Sequence, residues 1–499
     1  MKQFIYHDSL TDIPKLPTPI PDVSFVERTE KSFPFNAADR QQAPIILSDY
    51  GYVEEEYFVS GCANIYEYYD VGLYPKIRAE NGRYATRILM RRPRDMSRFS
   101  GFAIIELMNY AGPCEKPQAG WGSCCFRYMA DGDVWVGVTA KQSAINSLKK
   151  YDPLRYEPLL GFPNPVPPEK RRFTRNAIGG NDPNVENGLF YDAFSQIGAL
   201  LKTSVASNPL CTAGIFGRAA KYAVATGASG CDLSLYAAAL HPFATMDGEA
   251  PVYDGYLIHM TGYPGSISNG ETRFDAADDR CKIYTSVPLI WTQTMPDMCG
   301  GGIHPSYSYM YRHPESDLPG RQFRQYEIAA APIVSNFDRR VIPCVEDIER
   351  SGGNTAEPPY DQGNDFDDLP TRYVMRAATH HLKRWIKYGL PAPRSKWLEM
   401  TGDYPDADFA LDEYGNPKGG VRSPFVDAPI QTYTMEQPMQ VKNIVTPLCK
   451  ETLLALYPTH ADYVKKVTEA TIDMISKGFI LPEDAMEIIN LANEAKIPE

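Results

Sequence analysis

Histidine is scarce in this chain, with 8 in 499 residues, and the shortage confines histidine chemistry to a handful of positions. Other signals are missing as well. None of the 10 cysteines forms a CxxC pair, and they are too sparse for a disulfide scaffold, so a zinc or iron–sulfur site finds no support. The vicinal Cys124-Cys125 pair reads as packing. No apolar run approaches the ~18 residues of a membrane span, and the mean hydropathy is −0.35. The N-terminal MKQFIYHDSLTDIPKL has no apolar export core. Positive charge is short too: 50 Lys and Arg against 62 Asp and Glu leave a net charge of −12, a poor match to a nucleic-acid backbone. Neither GxGxxG nor GxxxxGK[ST] follows a strand-like run, which removes the usual nucleotide cradles. These absences lead us to expect a cytoplasmic protein that uses no metal or cofactor, with a small-molecule substrate and neither nucleic acid nor membrane as partner.

Residues 1–50 are proline-rich with little periodicity and read as an extended arm laid over the core. Residues 51–400 carry strand-like runs at Glu56–Ile65, Tyr84–Met90, Phe102–Met108, Val134–Ala140, Tyr222–Gly227, Tyr256–Met260, Val287–Thr292 and Phe323–Ile328. From the third onward most are nearly continuous in apolar residues, the pattern of strands covered on both faces. Helical periodicity separates several of them, at Gly188–Lys202 and Asp232–Leu240, and a stripe from Val374 to Trp385 follows the last. That alternation predicts an α/β fold with a mostly parallel sheet and helices on both faces. Segments at about 143–183, 299–320 and 347–368 are proline-, glycine- or acid-rich and read as lid insertions. Residues 401–499 form a C-terminal extension, helical from about 452, with Thr459 as N-cap and Gly478 as stop.

The sharpest motif is Gly227-Ala228-Ser229-Gly230-Cys231, between the apolar run KYAVAT and the helix-like DLSLYAAAL. A nucleophile elbow needs that context: strand, tight turn with small residues two before and two after the serine, then helix. The plainer reading is a strand-to-helix turn whose serine caps the helix.

With this motif in place, the sequence resembles the large "alpha/beta hydrolase domain" family, an esterase-like branch of the α/β-hydrolase fold. The resemblance rests on ELMNYAG (106–112), VWVGVTAKQ (134–142), YDPLRYEPL (151–159), YDAFSQIG (191–198), VATGASG (224–230), YVMRAATHHLKRW (373–385), DEYGNPKGGVRSPFVDAP (412–429) and LYPTHADYV (456–464). It implies a Ser–acid–His order. Ser229 would be the nucleophile, with oxyanion donors at Gly230 and near Asn109–Tyr110. Asp297, in TQTMPD, matches the acid. The strand FRQYEI should then run into a loop bearing the histidine, but that loop here reads AAAPIVSNFD (329–338) and holds none. A triad without its histidine typically loses about 10⁴–10⁶ in kcat.

Three histidines stand out as substitutes or substrate contacts: His259 at a strand end, then His304 and His313 in the insertion after Asp297. His241, His381 and His460 read as structural. Three functions remain open on these residues. One is a serine hydrolase acting on a carboxylic ester of a bulky organic molecule. Another is non-hydrolytic chemistry on the same fold (acyl transfer, lyase or isomerase), and the third is a silent small-molecule binder.

Overall fold

The computed structural model describes residues 3–68, 72–109, 114–117, 120–171, 182–212, 219–227, 231–259, 280, 283–298, 312–332, 340–353, 371–403, 407–434 and 444–497. Their strands are β1 (Ile5–Thr11), β2 (Asp22–Val26), β3 (Tyr52–Glu67), β4 (Lys76–Pro93), β5 (Phe102–Leu107), β6 (Val134–Val138), β7 (Tyr222–Gly227), β8 (Gly255–His259), β9 (Leu289–Gln293) and β10 (Phe323–Glu327). These pair into one sheet in the order β10-β9-β8-β7-β5-β6-β4-β3-β2, with β1 on β4. From β10 to β6 every neighbour is parallel, and β4 then joins β6 antiparallel. The nearly continuous apolar runs account for the parallel half, because β5, β6, β8, β9 and β10 are buried at every residue.

Helices cover both faces. α1 (Gly120–Asp131) lies on one, α2 (Gln142–Tyr151) and α3 (Phe190–Lys202) on the other. After the short α4 (Pro209–Thr212), α5 (Cys231–Ala239) joins the α3 side. Two short helices follow, α6 (Met295–Met298) and α7 (Val345–Arg350), and then the long α8 (Thr371–Tyr388), which packs with α1. Alternate strand residues sort into the two layers: Ile104, Val224, Leu257 and Ile290 face α1 and α8, while Ile105, Ala225, Ile258 and Trp291 face the α3 side.

The C-terminal extension holds two small hairpins, β11 (Met400–Thr401) with β12 (Asp408–Phe409) and β13 (Gln431–Thr434) with β14 (Ile444–Pro447). Its helices are α9 (Pro424–Asp427), α10 (Lys450–Leu456), α11 (His460–Lys477) and α12 (Pro482–Glu494). Thr459 and Asp462 form a reciprocal capping box at the start of α11, and Gly478 closes it at φ 82°. No helix among the described residues is long and apolar enough to cross a membrane.

One difference from the sequence reading concerns the arm. It does not merely lie over the core: β1 and β2 extend the sheet, and their largely exposed residues suit edge strands.

Candidate active site

Because β5, β7, β8, β9 and β10 run parallel, Leu107, Gly227, His259, Gln293 and Glu327 all end at one edge. In open α/β sheets this is where ligands bind. β7 stops at Gly227 and α5 starts at Cys231, so three residues separate strand from helix. A Cβ on Gly227 would lie 3.1 Å from the Leu107 carbonyl oxygen and 3.2 Å from its Cβ, which explains the need for glycine there. Ser229 and Gly230, between that strand and helix in sequence, lie outside the described residues, as do Tyr110 and His304.

The loop after β5 is fixed by a buried carboxylate. Glu106 accepts the Gly120 N–H at 2.9 Å, the Trp121 N–H at 2.7 Å and the Trp135 Nε1–H at 2.7 Å. It thereby anchors the first turn of α1 against β5, and a negative charge is favourable at that helix end. Farther along, Glu115 is ion-paired to Arg87 at 2.5 Å, and Arg87 also holds Glu56 at 2.6 Å, all fully buried. Asn109 sits between these anchors. Its N–H donates to the Lys116 carbonyl at 2.9 Å and its carbonyl accepts the Lys116 N–H at 2.8 Å. That backbone N–H is therefore committed to the bridge with Lys116.

Asp297 lies in α6, directly after β9, with its side chain buried. Its Oδ2 accepts the Thr294 N–H and the Thr294 hydroxyl, each at 2.8 Å. Burial outweighs these bonds and pushes its pKa up to about 6. The loop after β10 packs against the same helix. Met295 N–H donates to the Ala331 carbonyl at 3.2 Å, and Met295, Met298, Ala329 and Ala330 share an apolar cluster with Leu398, Phe409, Val426 and Tyr433 of the C-terminal part. The acid segment and the loop lacking its histidine are thus neighbours. Residues 329–332 present Ala-Ala-Ala-Pro, and 333–338 lie outside the described residues.

Of the described histidines, His259 is at the substrate edge. Its ring is buried, Nδ1 is 2.7 Å from Thr292 Oγ1, and burial alone pushes its pKa down to about 3. His313 sits elsewhere. It packs on Phe323, the first residue of β10, at 3.7 Å between ring centroids and on Tyr284 at 5.3 Å. Phe323 opens β10 and Tyr284 precedes β9, so the ring is drawn by aromatic packing toward the far end of the sheet. His241 bonds Tyr256 and Ser286, His381 bonds the Gly478 carbonyl, and His460 bonds the Ile497 carbonyl, in keeping with structural roles.

The sequence reading overlooked a buried pair at this edge, Lys141 and Asp232, whose Nζ and Oδ1 are 2.8 Å apart. Its signal was a lysine shortly after an apolar strand and an aspartate in the first turn of α5. Among described residues, Cys344, Glu346 and Asp347 form the one group with metal-like spacing. The Arg40 guanidinium already bonds both carboxylates, at 3.0 and 2.5 Å.

The family model for an alpha/beta hydrolase domain matches residues 17–490. The chain belongs to the alpha/beta hydrolase domain family. Solved structures with some similarity include a protein named as a dienelactone hydrolase from Klebsiella pneumoniae, at 11% identity and TM-score 0.26, covering 59% of this chain and 95% of that one. A glucuronoyl esterase from Solibacter usitatus is 10% identical with TM-score 0.30, covering 64% and 85%. A protein named as a carboxylesterase from Lactobacillus plantarum is 14% identical with TM-score 0.25, covering 46% and 76%. Likenesses this distant carry no argument about the chemistry of this α/β-hydrolase. No curated protein matches the sequence.

Proposed function

We propose that this α/β-hydrolase is a cytoplasmic serine hydrolase that cleaves a carboxylic ester, or a related acyl group, of a bulky organic molecule. The observation that carries the reading is that the end of β7 and the start of α5, the buried Asp297 and the start of the loop after β10 all lie at one sheet edge. Ser229 attacks the acyl carbon, while N–H groups at Gly230 and near Tyr110 hold the oxyanion. The alcohol leaves, and water then releases the acid from Ser229.

Proton transfer is assigned to Asp297, acting directly or through one water. A carboxyl near pKa 6 is poised for that task at neutral pH, whereas an imidazole near 3 accepts protons poorly. His259 is then a neutral wall of the site. The insertion at 143–183 begins beside Lys141 at this edge, and the described part of the one at 299–320 runs from Arg312, paired with Glu327 at the tip of β10, to Ser316, bonded to Phe323 at the strand's start.

The alanine-rich loop favours one second reading, transfer of the acyl group to an acceptor other than water. A fluorophosphonate probe and an aryl-ester panel separate the readings. Labelling and ester turnover by wild type, both lost in Ser229→Ala, support the hydrolase. Labelling with no turnover unless an alcohol or amine acceptor is added supports transfer. Equal activity in Ser229→Ala eliminates a serine nucleophile.

A further inference from the structure

Lys141 stands three residues beyond β6 at the substrate edge, with its side chain 9% exposed, and its Nζ donates to Asp232 Oδ1 at 2.8 Å. Asp232 is the second residue of α5 and is comparably buried. The Tyr191 hydroxyl of α3 donates to the same oxygen at 3.0 Å. One turn farther along both helices, Ser195 and Tyr236 hydroxyls lie 2.8 Å apart. α3 therefore braces α5 at two rungs, and Lys141 ties the first of them to the strand exit. The lysine's own segment is also held. Gln142 N–H donates to Asn187 Oδ1 at 3.1 Å, and its side-chain oxygen accepts the Phe162 N–H at 2.8 Å.

A buried ion pair adds little net stability, since desolvation offsets its Coulomb attraction and an apolar pair of similar size does as well. What it supplies is a fixed, directional distance. Here that distance joins the end of β6 to the first turn of α5. Asp232 follows Ser229 by three residues, so at most about 11 Å of chain separates them. A tilt of this turn is transmitted to residues 228–230, and misplacement of reacting atoms by about 1 Å can cost about 10²-fold in rate.

We propose that Lys141 and Asp232 are a positioning pair that sets the pose of the elbow's helix for acyl transfer, a proposal that rests on the serine-hydrolase reading. They act by holding α5.

The test uses the full chain with four variants: Lys141→Arg, Asp232→Glu, Lys141→Met, and Lys141→Met combined with Asp232→Asn. The readouts are the rate of fluorophosphonate labelling at Ser229, kcat and KM on a p-nitrophenyl ester, and amide hydrogen exchange across α5. The charge-free double variant should remain folded, lose at least 30-fold in labelling rate and kcat, and keep KM within threefold. Lys141→Arg should recover at least tenfold of that loss, because it restores a cation on Asp232. Should the double variant fail to fold, Asp232→Glu decides: it keeps the charge but moves the contact by one methylene, and a tenfold slower labelling is expected. Wild-type labelling rates in the folded double variant, or in Asp232→Glu, overturn the proposal. If wild type is not labelled at Ser229 at all, the hydrolase reading fails separately. The pair is then judged by exchange at residues 232–235: tenfold faster exchange in the variants supports it, and unchanged exchange overturns it.

Discussion

The Nδ1 of His259 lies 2.7 Å from the hydroxyl of Thr292 on the neighbouring strand, and that hydroxyl also lies 3.2 Å from Met375 Sδ and 3.3 Å from the Ile258 carbonyl. The imidazole is therefore held inside the layer between the sheet and α8. Its pKa falls from 6.5 to about 3 through burial. Between those values the unfolded chain binds a proton that the fold excludes, so stability drops as pH falls through this window. The contribution at pH 4 is up to about 3 kcal/mol. His259→Gln keeps a polar partner for Thr292 and removes the titration. We expect its stability deficit relative to wild type to shrink by at least 1 kcal/mol between pH 7.5 and 4.5 in urea unfolding, and its kcat to stay within tenfold. A kcat loss of 10³ or more would restore His259 as the base.

Asp297 has the opposite sign. Its carboxyl is raised from 3.8 to about 6, so the fold holds the proton longer than the unfolded chain does, and stability falls as pH rises through that interval. Above pH 6 the penalty is on the order of 3 kcal/mol. Asp297→Asn should therefore be more stable than wild type by about 1–3 kcal/mol at pH 8, with no gain at pH 4, while ester turnover falls at least 10²-fold. Wild-type kcat should rise with pH through about 6 as the carboxylate forms. A variant that is active, or that gains no stability at pH 8, would show that Asp297 is a structural turn residue.

How far the sequence reached depends on what each feature needed. The runs around Ile104, Val224 and Ile290 were readable because two-sided burial leaves an uninterrupted apolar stretch, and the strand ends fall within a few residues of the expectation. Thr459 and Gly478 were readable because caps are local. β1 and β2 were not, since half-exposed edge strands between prolines carry a weak alternation. The Asn109–Lys116 bridge depends on a loop closing on itself, and the Lys141–Asp232 pair joins residues 91 apart. His313 was placed near the acid on sequence proximity alone. Its ring is drawn instead to Phe323 and Tyr284.

Glu106 gives a third prediction. Its two oxygens receive three N–H donors, an arrangement that only a carboxylate satisfies. Glu106→Gln replaces one acceptor by an NH₂ facing those donors, and should cost about 2–4 kcal/mol. Gly120→Ala attacks the same junction sterically, because a Cβ there would stand 2.6 Å from Glu106 Oε2 and 2.9 Å from Thr226 Cγ2. Both variants should slow fluorophosphonate labelling at least tenfold at a temperature where they remain folded, since the loop proposed to hold the oxyanion begins at this strand end. Unaltered labelling in a destabilised Glu106→Gln would separate the carboxylate from the loop's function.

Ala330, three residues past β10, has φ 62°, in the left-handed region that a side chain rarely enters. It is fully buried, and its N–H points at Met295 Sδ at 3.1 Å, so the conformation is imposed by packing on the acid segment. The left-handed conformation costs about 1–2 kcal/mol for a residue with a Cβ. Glycine relieves that strain but gives back about 0.5–1 kcal/mol as unfolded-chain entropy. Ala330→Gly should therefore raise stability by up to about 1 kcal/mol. Ala330→Val adds β-branching to the same strained backbone and should lower it by 2 kcal/mol or more. The activity readout is the sharper one. Ala331 accepts the Met295 N–H, two residues before Asp297, so a shifted loop carries the acid segment with it. Ala330→Val should depress kcat beyond what its unfolded fraction explains, whereas Ala330→Gly should leave kcat within twofold. Equal kcat per folded molecule in both variants would mean that the loop and Asp297 are mechanically independent.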